Sequence, residues 1–303
     1  SGSASWPMYR HDHRRTNSTG AQVSGKLNNA WQVKINGDLT PPVVASGKAY
    51  VSAKDRNTVY AVDIQDGEIL WERSTGGRVD SPPTLYKGKV LFGSADGWVY
   101  CLRQEDGELI WKFRAAPSPR LMVNKNRVES PWRGHGSVLL HDGLIYLTSG
   151  RSSFLDGGIF IYALNPNTGE MVHKTRLDTW MRTREDAEDQ PFLPAFHIEG
   201  SRSDLLVSEG GYIYLGQMKF TPELEKLDPP YLEGPESYQT DRGSPEAYGP
   251  IVKGDSISKN PTYDFVHKET IEQYPSLANI WYRRGHMGAR NVGKHLFATG
   301  GFL

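Results

Sequence analysis

The chain has 303 residues, enough for one large domain or two smaller ones with a sizeable core, and its 35 Lys plus Arg balance 35 Asp plus Glu. That balance gives nucleic acid or an anionic membrane no net field to follow, so a charged ligand has to be recognised locally. The single cysteine, Cys101, excludes an intrachain disulfide and a cysteine metal cluster, and no run of 18 apolar residues offers a membrane span.

Gly 32, Pro 19, Tyr 15 and Trp 8 suit many short strands joined by tight turns. The opening SGSASWPMYR carries no signal-like apolar segment. Residues 1–30 read as a polar leader that crosses one face of a ring or lends a strand to its last unit, with Trp6 and Tyr9 as anchors. His11, Asp12 and His13 form the leader's one metal-like cluster. In an extended segment the carboxylate points away from both rings, so the expectation is a solvated polar stretch and no metal.

From residue 31 one pattern is written twice with a period of 40 residues. The copies end VYAVDIQDGEILW and VYCLRQEDGELIW, and each opens on a proline pair, Pro41-Pro42 and Pro82-Pro83. Four short strands in about 40 residues is the period of a β-propeller blade. Asp66-Gly67 and Asp106-Gly107 supply the positive φ of a tight hairpin. Trp71 and Trp111 follow at one fixed offset and are expected to fill the wedge between neighbouring blades. Cys101, inside VYCL, reads as a small buried apolar residue.

The units divide as residues 31–70, 71–110, 111–172 and 173–228, followed by an insertion at 229–280 and the start of a further blade at 281–303. The third unit is enlarged mainly over residues 115–134, with a smaller addition at SSFLDGG; such blade-loop insertions are where a propeller face gains a binding surface. The acidic run Glu185, Asp186, Glu188 and Asp189 lacks the glycine and ligand spacing of a calcium loop and reads as solvated. The Pro, Glu and Gly-rich tract after Phe220 reads as a long excursion with one short helix near residues 268–274. A ring cannot stop in mid-blade without an open edge, so a C-terminal segment or a second polypeptide is expected to complete it.

These motifs resemble the PQQ-like, quinoprotein-type β-propeller repeat family, which includes quinoprotein alcohol dehydrogenases and an outer-membrane assembly lipoprotein. The opening W-x-x-Y-R-x-D-x-x-R at residues 6–15, with Ser18-Thr19-Gly20 after it, is similar to the leader of secreted members. The resemblance implies an all-β, eight-bladed propeller, of which about four to five blades lie here, in the periplasm or outside the cell. It does not carry the cofactor: the family's quinone enzymes place an adjacent cysteine pair against the quinone, and one cysteine cannot supply it. No bound cofactor is expected.

Polar residues at the unit entrances are the ligand-binding candidates, because the innermost strand and its incoming loop line a propeller's funnel. They are Trp132, Arg133 and His135 beside Glu129; Trp180, Arg182 and His197 beside Arg184; and Tyr282, Arg284, His286 and Arg290 beside Trp281 and Arg283. R-G-H recurs in WRGHGS and RRGHMG, whereas the second unit has GGRVDSPP. Guanidinium forks and indoles suit an anionic glycan or a protein ligand. The expected function is a ligand-binding or assembly module. The alternative is a lyase acting on an anionic polysaccharide, with His135, His286 and Tyr282 converging as acid and base.

Overall fold

Alternation turns each repeat into a blade with two buried faces. The computed structural model describes residues 5–22, 25–26, 28–124, 126–153, 155–178, 205–215 and 218–227. The first sheet contains β1 (Val43–Ala45), β2 (Lys48–Ala53), β3 (Thr58–Asp63) and β4 (Ile69–Ser74), and the second β5 (Thr84–Tyr86), β6 (Lys89–Gly93), β7 (Trp98–Arg103) and β8 (Leu109–Arg114). A hairpin of β9 (Met122–Asn124) and β10 (Arg127–Glu129) precedes the third sheet, β11 (Gly134–His141), β12 (Leu144–Ser149), β13 (Ile159–Leu164) and β14 (Met171–Leu177). The fourth has β15 (Leu206–Glu209), β16 (Tyr212–Leu215), β17 (Met218–Phe220) and β18 (Lys226–Leu227). Each four-stranded sheet is an antiparallel meander in chain order, and the architecture is an all-β propeller. The one helix among the described residues is the single-turn Lys54–Arg56, and none is long and apolar enough to cross a membrane.

The core sits between the blades. Along β13, Phe160, Tyr162 and Leu164 join Leu91, Val99 and Cys101 of the second blade, while Ile159, Ile161 and Ala163 join Leu206, Ile213 and Phe220 of the fourth. Along β6, Val90 and Phe92 face the first blade and Leu91 the third. Period-two alternation therefore feeds two cores from one strand, which is why the strands read as almost continuous apolar runs. Cys101 is fully buried, and burial pushes its thiol up to about 12.

The tryptophans act across blades. Trp71 of β4 lies on the hairpin glycine of the second blade, and Trp111 of β8 on that of the third. A Cβ added to Gly107 or Gly169 would stand 2.7 Å from the indole carbons. Their Nε1 atoms donate to the carbonyls of Gln104 at 3.2 Å and Pro166 at 3.1 Å. Positive φ at Gly107 (74°) and Gly169 (75°) lets each turn offer a bare backbone surface to the ring.

The leader contacts the first strands of all four described blades. Trp6 bridges Val44 of β1, the Leu85 amide of β5 donates to Pro7, and the Ser208 amide of β15 donates to His13. Arg15 is fully buried. Its guanidinium donates to the carbonyls of Tyr9 at 2.9 Å, Ser137 at 3.1 Å, Leu206 at 3.4 Å and Val138 at 3.5 Å, tying the leader to β11 and β15 together. Desolvation pulls its pKa down to about 10, with nearby Asp12 opposing the shift, so it stays a cation at neutral pH. His11 packs edge-on against Trp6, and the Asp12 carboxylate accepts from both the amide and the hydroxyl of Thr16.

Candidate functional site

Each blade has a tight-turn end and a loop end. The leader lies at the turn end, where His13 approaches His141 with ring centroids 6.2 Å apart. At the opposite end, the connections into the second and third blades bring together a charged cluster.

Its centre is Glu129, on β10 and only 2% exposed. Glu129 accepts from Arg78 Nη2 at 3.0 Å and from Asn124 Nδ2 at 2.6 Å, and Arg133 Nη1 stands 3.6 Å away. Arg78 also reaches Asp80 at 3.6 Å. A second carboxylate, Asp156 in the β12–β13 loop, pairs with Arg120 and Arg151. Buried carboxylates need such pairing, because leaving one unpaired costs several kcal/mol. Burial lowers the Arg133 pKa, Glu129 and Asp80 opposing the shift.

Trp132 is buried, its Nε1 donates to the Asp156 carbonyl at 2.8 Å, and the Arg120 guanidinium lies over its ring at 4.9 Å. One indole face is thus already taken by a cation. Gly134 meets the backbone of Gly93, where an added Cβ would come within 3.0 Å, so the glycine of W-R-G-H serves the close approach of β11 to β6. The His135 backbone lies opposite Thr148 in the β11–β12 ladder. The other candidates, Trp180, Arg182, His197, Tyr282, Arg284, His286 and Arg290, lie outside the described residues, as do the acidic run at 185–189 and the helix expected near 268–274.

The structure therefore brings Arg133 to Glu129 and adds residues that sequence reasoning passed over. Arg78 and Asp80 come from GGRVDSPP, the stretch set aside for lacking R-G-H; its arginine and acid at a unit entrance were the available signal. Arg120 and Asn124 come from the enlarged connection at residues 115–134, which folds as the β9–β10 hairpin. Arg127 Nη1 of this hairpin donates to the Asp55 carbonyl at 3.2 Å, roofing a cavity of about 220 Å³ bordered by Asn57, Arg78, Ala95 and Glu129.

The outer surface of the hairpin is apolar. Val123 and Val128 are directly opposed across the strands and stand 72% and 60% exposed, with Leu121 next to them.

The described residues do not fit a quinone held in the manner of the quinoprotein dehydrogenases. The only thiol is buried in mid-strand, Glu129 is held by Arg78 and Asn124 with Arg133 nearby, and no group of three His, Cys, Asp or Glu among the described residues is placed to hold a metal ion.

Comparison with known proteins agrees with this architecture. Residues 15–192 match the family described as outer membrane protein assembly factor BamB. The BamB of Burkholderia pseudomallei (strain K96243) is 28% identical over 158 residues, covering 52% of this chain and 35% of that protein. The dehydrogenase subunit of the quinone alcohol dehydrogenase of Gluconacetobacter polyoxogenes is 26% identical over 161 residues, covering 48% of this chain and 21% of that one. The chain thus spans 35% and 21% of the length of these two curated relatives. Among solved structures, the quinohemoprotein alcohol dehydrogenase ADHIIG of Pseudomonas putida HK5 superposes with a TM-score of 0.53 at 20% identity, over 70% of this chain and 34% of that one. That likeness establishes the propeller fold.

Proposed function

Since this chain belongs to the family of the outer membrane protein assembly factor BamB, we propose that it is an extracytoplasmic propeller module that binds or assembles other molecules without a quinone. The observation that carries the reading is the contrast at the loop end. Glu129 and Asp156 are neutralised by this chain's own arginines, whereas the hairpin above them presents apolar Val123 and Val128 to solvent. Salt-bridged charges hold the hairpin in place, and a cross-strand valine pair supplies dry contact area for a protein partner. The family points to outer-membrane proteins or their assembly partners as what is bound, in the periplasm. Arg78 then borders the cavity beneath the hairpin, while Arg133 beside Glu129 and Trp132 on the Asp156 carbonyl help fix the platform.

The lyase reading has no comparable support. It requires His135, His286 and Tyr282 to converge, and two of these three lie outside the described residues. Neither relative named above is a lyase.

A photo-crosslinking amino acid placed at Val123 or Val128, in the organism that produces the protein, tests the proposal. The expected products join this chain to outer-membrane proteins or their assembly partners, and Val123→Asp with Val128→Asp together lower their yield roughly tenfold, as for the loss of an interface anchor. Equal labelling from Glu72, on the exposed edge of β4, would refute a specific role for the hairpin.

A further inference from the structure

The seam between the third and fourth blades is built differently from the two before it. In those, Trp71 and Trp111 lie on the hairpin glycines Gly107 and Gly169 of the following blade. Their strand position, opposite Ala61 and Cys101, is held in β14 by His173, opposite Ala163. The fourth-blade hairpin is changed as well. Leu224, at φ 68°, takes the place of the glycine: its amide donates to the Thr221 carbonyl at 2.9 Å, as that of Gly169 donates to Asn165 at 2.9 Å. The Leu224 side chain is buried in the core shared with the third blade, so it occupies space that a bare glycine leaves to an indole. The turn carbonyl of Pro222 accepts from Tyr146 at 3.0 Å, whereas its counterpart Gln104 accepts from both Tyr50 and Trp71. This seam therefore lacks the tryptophan anchor of the other two.

The leader crosses the same seam with two imidazoles. The His13 carbonyl accepts from the Ser208 amide of β15 at 3.0 Å, while its ring stands 6.2 Å from that of His141 at the end of β11. The His141 ring lies 6.3 Å from that of Tyr146, and its buried Nε2 makes no hydrogen bond among the described residues. We propose that the joint of the fourth blade and the leader with the third blade is a proton-operated latch, closed at neutral pH and loosened in mild acid through His13 and His141. The proposal is independent of which partner the β9–β10 hairpin binds. Protonation puts two like charges side by side, one of them in a desolvated site. Desolvation lowers the His141 pKa against the pull of Asp142 at 3.4 Å, and His13 adds to the shift. The folded state thus holds His141 below its ordinary 6.5, so the joint is fully stabilised above pH 6.5 and weakens as pH falls through the lowered value. Asp12 faces His13, Arg14 pairs with Glu209 of β15, and Glu223 faces His173. Glu223 favours a closed seam when His173 is protonated, but it is fully exposed and screened.

Amide hydrogen exchange of the full chain at pH 7.5 and pH 5.5, corrected for the intrinsic pH dependence of exchange, tests this. The expected result is that protection of residues 206–215 falls roughly threefold to tenfold at the lower pH, while that of β3 and β7 holds. His13→Asn together with His141→Phe, which keeps an aromatic ring beside Tyr146, should abolish the fall. His13 is itself exposed, so His13→Asn alone leaves the core untouched and should at least halve the fall. A fall of less than threefold in the unaltered protein overturns the proposal. So does an equal fall in β3 and β7, which would make the acid response one of the whole propeller, or an undiminished fall in His13→Asn.

Discussion

Arg15→Ala is expected to destabilise the protein by about 3–5 kcal/mol, because it strips hydrogen bonds to a buried charge and opens a cavity at once. The guanidinium is fully buried and makes two well-formed and two longer bonds to carbonyls of the leader, β11 and β15. Desolvation, visible in the pKa pulled down to about 10, works against it. Bonds from a charged donor contribute about 1.5–3 kcal/mol each, so two good ones already offset that penalty. The urea midpoint should fall, and limited proteolysis should cut residues 10–20 before any blade. A change under about 1 kcal/mol would mean that desolvation cancels the bonds and that the leader is held by Trp6 and the backbone bridges instead. Arg15→Lys should recover little, since an ammonium cannot fork between two blades.

Gly107→Val is the second large effect. It places a β-branched residue at φ 74° and drives its Cβ to 2.7 Å from the Trp71 indole. Backbone strain and overpacking together predict a loss of about 3–5 kcal/mol in thermal or urea unfolding. Gly88→Ala supplies the comparison. Gly88 has the same φ of 74° and nothing within 4 Å of an added Cβ, so only backbone strain applies, about 1 kcal/mol. Equal losses at the two positions would show that the indole contact contributes nothing.

The blades were legible in the sequence because their physics is local. Hairpin glycines, period-two alternation and a tryptophan at constant offset each repeat within 40 residues. What a linear reading blurred was phase. Trp71 and Trp111 open units in the sequence but sit in β4 and β8, the last strands of their sheets, because they serve the next blade. The same offset hid the place of Trp31, whose indole lies on Gly67 of the first blade. At the loop end, Glu129 and Arg133 were visible as charges at a unit entrance, whereas Arg78 was not: its partner lies 51 residues away, and no local pattern announces a salt bridge across a blade boundary. Arg15 was likewise seen as one letter of a polar leader, since nothing nearby in the sequence shows that four carbonyls from three segments would surround it.

Equilibrium dialysis of the purified chain against the quinone PQQ with calcium ions, followed by dye-linked alcohol oxidation, tests most directly whether this propeller works without a quinone. The account predicts no stoichiometric uptake and no alcohol-dependent dye reduction, because the described residues offer neither a cysteine pair nor an uncommitted Glu129. Uptake of one quinone per chain with alcohol-dependent reduction would contradict it and make the loop-end arginines the hold on a redox cofactor.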